Sequence, residues 1–254
     1  MTMNSSRVAI VIGASGGIGG ACVKQLCADE RTREVFAVSR SAANLAQLGI
    51  PAAEKKLHML ESDSSRASML RVVEQVRKSC RMLGSPEIEI IIATGMLHHG
   101  DIQPEKRLDA LDRDSALTVL ETNTLMPMLW LQSLAGLFSK DLVVRVAVLS
   151  ARVGSISDNR LGGWYSYRAS KAALNMMLKT LSIEFSRRFP KVKLLAYHPG
   201  TTRSALSAPF SSGVPQDKLF SSEYSAERLL TVLREQPLDQ TLSFAAWDGA
   251  SIEW

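Results

Sequence analysis

Tyr167 and Lys171 are four residues apart in the segment Trp164-Tyr165-Ser166-Tyr167-Arg168-Ala169-Ser170-Lys171. On a helix that spacing puts both side chains on one face. An ammonium beside a phenol favours the phenolate, which makes the tyrosine a usable acid or base nearer neutrality. The same amine can reach the ribose hydroxyls of a bound nucleotide. Many exposed helices carry Tyr-x-x-x-Lys, so the pair gains meaning only from its surroundings.

Upstream, Gly13-Ala14-Ser15-Gly16-Gly17-Ile18-Gly19 follows an apolar run and opens a helical pattern. Glycine permits a tight turn and lets backbone approach a pyrophosphate closely. The helix N-terminus behind it offers unpaired N–H groups and a positive dipole end. A second apolar run ends at Val38-Ser39-Arg40. A carboxylate there would bind the ribose hydroxyls of NAD and repel a 2′-phosphate, but none is present. Ser39 donates a hydrogen bond and Arg40 pairs with phosphate, so the pattern predicts NADP(H). The alternative for Arg40 is a solvated surface arginine. Asp63-Ser64 follows the third run, where Asp63 either accepts from an adenine amino group or caps a helix. Ala93-Thr94-Gly95 follows the fourth, and its small side chains would let a ribose lie against the backbone.

These residues need a scaffold. Short β-branched runs predict strands at Val8–Ile12, Val35–Val38, Leu57–Leu60, Ile88–Ile92, Val143–Leu149, Val192–Tyr197 and Leu242–Ala245. Helical patterns lie between them at Gly17–Asp29, Ser65–Arg81, Arg113–Phe138, Trp164–Phe189 and Ser225–Glu235. Alternation of buried strands with helices predicts an α/β fold: a single-domain, doubly wound parallel sheet of Rossmann type with helices on both faces. Residues 1–254 form one domain in this reading. The cofactor half spans about residues 1–150, and a substrate-side loop about 200–222. Ser204 to Phe220, rich in Ser, Pro and Gly, is either a lid over substrate or a plain loop.

Composition is consistent with this reading. The 254 residues carry 46% hydrophobic and 22% charged residues and a net charge of +5. The basic residues are scattered rather than interleaved with aromatics, which argues against a nucleic-acid partner. Three cysteines without a CxxC give no disulfide or zinc framework and point to a reducing, cytoplasmic setting. The N-terminal apolar run is too short for a secretory signal, and no stretch approaches a membrane span. His98 and His99 stand alone, so no metal site is expected.

With the glycine motif, Asn123, Tyr-x-x-x-Lys and Pro199-Gly200 in this order, essentially the whole chain resembles the short-chain dehydrogenase/reductase family. The resemblance implies that Tyr167 protonates a carbonyl oxygen during hydride transfer. It implies that Lys171 lowers the tyrosine pKa and holds the nicotinamide ribose, and that Asn123 holds a water in a proton relay. Pro199-Gly200-Thr201-Thr202 would contact the nicotinamide. The segments from Gly154 to Asn159 and from Gly162 to Arg168, and the tail from Ala246 to Trp254, are similar to the C-factor and carbonyl-reductase-like branch. That branch implies a small carbonyl or alcohol substrate or, as the alternative, a nucleotide-binding signalling role. The long helices suit a homodimer or tetramer. Three positions depart from the family pattern. Its substrate-orienting serine aligns with Ala151, leaving Ser150, one residue early, as the candidate substitute and Ser155 as the other. Ile92-Ala93-Thr94-Gly95 replaces Asn-Asn-Ala-Gly. Ile12 replaces a threonine, with little consequence expected.

Overall fold

Continuous burial along the central strands decides the architecture. The computed structural model describes residues 6–46, 48–50, 56–213 and 215–254. Its strands are β1 (Arg7–Ile12), β2 (Thr32–Ser39), β3 (Leu57–Glu61), β4 (Glu87–Ile92), β5 (Val144–Leu149), β6 (Val192–His198), β7 (Thr201–Thr202), β8 (Leu219–Phe220) and β9 (Leu242–Ala246). The helices are α1 (Gly17–Ala28), α2 (Ala42–Ala46), α3 (Arg66–Met82), α4 (Arg113–Leu120), α5 (Met126–Leu134), α6 (Tyr165–Arg188) and α7 (Ser222–Glu235). The main sheet has seven strands in the order β3-β2-β1-β4-β5-β6-β9, every pair parallel.

Successive strand residues point to opposite faces. Val8, Ile10 and Ile12 of β1 join α3, α5 and α6 in one core; Ala9 and Val11 join α1 and α7 in the other. The sheet is therefore covered on both faces, as the continuous apolar runs predicted. The chain winds outward from β1 to β3, then returns to place β4 on the other side of β1. A crevice opens at such a switch point, above the carboxyl ends of β1 and β4. Gly13 and Ala93 stand there, so close that a Cβ added to Gly13 would lie 3.0 Å from the Ala93 carbonyl carbon.

Several boundaries differ from expectation, each for a local reason. The predicted helix over Arg113–Phe138 is interrupted by a π-turn at Glu121–Leu125. Pro127 has no N–H to give the Asn123 carbonyl four residues earlier, which breaks the α ladder. The last helix starts at Ser222 rather than Ser225, because the Ser221 hydroxyl caps it by accepting from Tyr224 N at 3.1 Å. Short α2 and the β7–β8 pair carry too few residues for a periodic signal. That pair, Thr201↔Leu219 and Thr202↔Phe220, ties together the two ends of the loop after β6.

Candidate active site

The turn after β1 is fixed by its backbone. Gly13 adopts φ +83°, and the N–H groups of Gly13 and Ala14 both donate to Val38 O at 3.0 Å, joining the turn to the end of β2. A Cβ on Gly19 would lie 2.3 Å from Gly13 O, so no side chain fits there. Helix α1 is capped at Gly16 without a side-chain bond and has no acidic residue in its first turn. Gly17, Ile18 and Gly19 therefore present backbone N–H groups and a positive dipole end to the crevice. Exposed Ser15 accepts a 2.8 Å bond from the buried Ser39 hydroxyl, and Arg40 follows in the open. No carboxylate occupies the end of β2.

Asp63 uses Oδ1 to accept from Ser68 Oγ at 2.6 Å and Ser65 N at 2.9 Å. Those bonds, that from Ser68 foremost, hold its carboxyl down at about 2. The cap of α3 is Ser65, whose hydroxyl accepts from Ser68 N at 3.3 Å, so Asp63 braces the capping turn and does not cap the helix itself. Ser64 sits at φ 62°, and its hydroxyl accepts from Trp130 Nε1 at 3.3 Å. Beyond β4, Thr94 Oγ1 is buried without a partner beside the crevice.

The α6 pair occupies the same edge of the sheet. Lys171 is 2% exposed. Its Nζ donates to Leu149 O at 2.8 Å and lies 5.9 Å from the centre of the Tyr167 ring. Burial pushes the lysine down from 10.5 to about 8. Burial also pushes the Tyr167 phenol up, from 10.0 to about 12. The expected lowering of the tyrosine is reversed, because desolvation outweighs an ammonium at that distance. Tyr167 is therefore a neutral phenol, the protonation state of an acid.

Fully buried Asn123 stitches three elements together. Its Oδ1 accepts from Met96 N at 2.7 Å, and its Nδ2 donates to Met96 O at 2.8 Å and Ser170 Oγ at 3.0 Å. Thr124 Oγ1 donates to Ser170 O at 2.7 Å. A Cβ on Gly95 would lie 3.6 Å from Asn123 Oδ1 and 3.7 Å from Lys171 Nζ, so these groups converge at the end of β4. The short turn Arg152–Gly154 presses on α6, where a Cβ on Gly154 would lie 2.8 Å from Lys171 Cβ.

Ala151 and its neighbouring hydroxyls are arranged differently. Ser150 is buried, and its hydroxyl donates to Asn175 Oδ1 at 2.7 Å. Ser155 Oγ accepts from Asp158 N at 3.1 Å and faces Ser157 Oγ at 3.3 Å. Both candidate substitutes thus carry local bonds of their own. Gly200 adopts φ +72° after Pro199, and a Cβ there would meet the Phe220 ring at 2.6 Å. Thr201 is half-buried, whereas the Thr202 hydroxyl pairs with Ser225 Oγ at 2.7 Å on α7 and so faces the interior. In the loop that follows, Ala205 O lies 3.2 Å from His98 Nε2. Phe210 packs edge-on against His98 and Trp164, and Trp164 edge-on against Tyr167.

Three residues at this edge escaped the sequence reading. Glu105 is buried against Ser166, Trp164 takes a left-handed conformation, and Ser170 bridges to Asn123. Glu105 stands in a charged stretch that reads as solvated, and only Gly162-Gly163 before Trp164 signals unusual backbone. Among the described residues no cluster of three His, Cys, Asp or Glu could hold a metal ion, and no helix is long and apolar enough to cross a membrane.

The donor set fits a phosphorylated dinucleotide: open N–H groups at α1, an orphaned hydroxyl at Thr94, and a Lys171 ammonium with one of its three donors used. Residues 7–214 match the family described as short chain dehydrogenase. The chain is 26% identical to 1-hydroxy-2-glutathionyl-2-methyl-3-butene dehydrogenase of Rhodococcus sp. strain AD45, across 96% of this chain and 98% of that protein. It is 30% identical to the C-signal protein of Myxococcus xanthus over 43% of this chain and 61% of that one. Its fold is similar to that of an NADPH-bound carbonyl reductase from chicken fatty liver, with a TM-score of 0.81 at 23% identity, covering 98% and 95% of the two chains.

Proposed function

Because the chain belongs to the short-chain dehydrogenase family, whose members are oxidoreductases, we propose that it transfers a hydride between NADP(H) and a small carbonyl or alcohol, with Tyr167 as acid and base. One observation carries the reading. The Tyr167–Lys171 pair and the open N-terminus of α1 share one edge of the sheet, with Lys171 Nζ beside Gly95 and the Gly13 turn against Ala93 and Thr94. The bound nicotinamide would supply the hydride for reduction or take it up for oxidation. Gly17, Ile18 and Gly19 hold the pyrophosphate on their N–H groups. Arg40, with Ser15 and Ser39, receives the 2′-phosphate. Asp63 and Ser64 line the adenine end, and Ala93, Thr94, Gly95 and Pro199 to Thr201 leave room for ribose and nicotinamide. Lys171 holds the ribose and restores the tyrosine proton. Asn123 fixes the loop after β4 against α6 and would hold a relay water. In reduction, Tyr167 would give its proton to the carbonyl oxygen of the substrate, and the bound nicotinamide would supply the hydride that completes the alcohol.

NADP(H) is preferred in this reading because β2 ends without a carboxylate, and the chicken enzyme similar in fold binds NADPH. A second reading rests on Ala151. With no hydroxyl at that position and both nearby serines engaged, a nucleotide-binding signalling protein with slow catalysis is the competing account. We further infer a cytoplasmic homo-oligomer, with exposed Leu117, Leu125 and Leu129 meeting a second copy; light scattering on the purified protein tests this. NADPH oxidation against a panel of aldehydes, ketones and quinones tests the main reading. Turnover supports the reductase, and tight NADPH binding with no turnover supports the competing account.

A further inference from the structure

We propose that Glu105 is a positioning residue for the acid: it holds the first turn of α6, and with it the Tyr167 hydroxyl, in the geometry that proton transfer needs. This rests on the reading of Tyr167 as the acid. Helix α6 begins without a side-chain cap of its own. Its capping residue, Trp164, lies at φ 53° after two glycines that are also left-handed. Only the surrounding structure can maintain such a conformation in a residue with a bulky side chain.

The support comes from 61 residues upstream. Glu105 stands between β4 and α4 and is only 6% exposed. One carboxylate oxygen accepts from Ser166 N at 3.2 Å, the other accepts from the Ser166 hydroxyl, and the Glu105 carbonyl accepts from Trp164 N. These donors belong to the first turn of α6, whose N–H groups have no helical partner. A carboxylate there also meets the positive end of the helix dipole. Among the described residues no cation pairs with Glu105, so the helix terminus supplies the compensation for burying its charge. Tyr167 follows Ser166 directly, and Trp164 packs edge-on against its ring at 6.1 Å.

The next turn is anchored by other means. Lys171 is held by Leu149 O and by the close approach of Gly154. Loosening the first turn would therefore disturb Tyr167 and leave Lys171 in place, separating proton transfer from cofactor binding. A merely structural carboxylate would affect both together.

The test uses the full chain with Glu105→Ala, Glu105→Gln and Ser166→Ala, reading kcat for carbonyl reduction and the Kd for NADPH. Glu105→Ala should lower kcat by about 100-fold, the scale of a 1 Å misplacement, with NADPH affinity within about two-fold. Glu105→Gln should recover kcat to within about three-fold, since its amide oxygen accepts the Ser166 N–H while its amide nitrogen donates to the hydroxyl. Should the alanine variant fail to fold, the other two decide: Ser166→Ala should lower kcat by about five-fold, between Glu105→Gln and wild type on one side and a dead acid on the other. Equal losses in the Gln and Ala variants, parallel changes in kcat and Kd, or wild-type kcat in both Glu105→Ala and Ser166→Ala would overturn the assignment. Tyr167→Phe, run beside them, keeps the two claims apart: if it is active, the acid is misassigned; if it is dead and Glu105→Ala is not, only the role of Glu105 fails. Near-UV circular dichroism, to which Trp164 contributes beside Trp130, Trp247 and Trp254, needs no turnover. Its signal should change in Glu105→Ala and persist in Glu105→Gln, and an unchanged spectrum in the alanine variant would contradict the proposal.

Discussion

Burying an ammonium at Lys171 works against the fold. A pKa lowered from 10.5 to about 8 corresponds to about 3 kcal/mol of penalty on the charged form. The penalty is full below pH 8, where folded and unfolded chains both carry the proton. It is relieved between about 8 and 10.5, where the unfolded chain alone is charged. Lys171→Met should therefore stabilise the protein near neutral pH by about 1 to 3 kcal/mol, the lower figure allowing for the bond lost to Leu149 O. Denaturant unfolding measures this, and NADPH affinity and turnover should fall in the same variant. A destabilised variant would mean that Lys171 is kept for packing. Ala151 poses the opposite question, a hydroxyl that is missing. An added donor near a developing oxyanion is worth roughly 3 kcal/mol in other enzymes. Ala151→Ser should raise kcat by about ten-fold or more if Ser150 and Ser155 stay with their present partners. Ser150 looked like the substitute from sequence because it lies nearest the strand end. Its bond to Asn175, 25 residues away, is a tertiary contact that no local pattern reveals.

Among the elements, the turn from β1 into α1 was legible because glycine is dictated there by backbone geometry. A methyl group at Gly19 would meet Gly13 O at 2.3 Å, and neither backbone atom can yield cheaply. Gly19→Ala should destabilise the fold by about 1 to 3 kcal/mol and weaken NADPH binding by more than ten-fold. Gly17→Ala crowds the Ser222 hydroxyl, at 2.7 Å, and meets Ser204 Cβ and Arg203 O only at ordinary contact distances, so it should cost the fold far less. Similar unfolding midpoints for the two variants would show that the turn is less constrained than its geometry states. The central strands were equally legible, since runs such as Val8–Ile12 are apolar on both faces. The π-turn at Glu121–Leu125 was not, because a proline near a helix start is ordinary in sequence and its effect on Asn123 emerges only in the ladder. The clamp of Glu105 on α6 was hidden for the same reason as the Ser150 bond: its partners are remote.

At the scale of the molecule, the proposed site belongs to no single element: its candidate residues come from β1, β4, β5, α6 and the loop after β6 around the switch point. A ligand spanning that crevice should stabilise the whole domain. NADPH at 100 times its Kd should add about 2.7 kcal/mol, a rise in Tm on the order of 5 to 10 °C for a chain of this size. NADH at the same concentration should add much less, because β2 ends in Ser39-Arg40 rather than an acid. Equal shifts would remove the basis for NADP(H) preference. The family was thus readable from motif order, and the fold gathers the candidate residues at one edge of the sheet, whereas the partners of individual hydroxyls needed the assembled fold. The central claim is that Tyr167 supplies the proton. It is tested most directly by comparing NADPH-dependent carbonyl reduction in wild type and Tyr167→Phe, with NADPH binding measured in both. The account predicts turnover in the wild type, a loss of at least 100-fold in kcat in the variant and nearly unchanged NADPH affinity. A variant that kept most of the wild-type rate would contradict it.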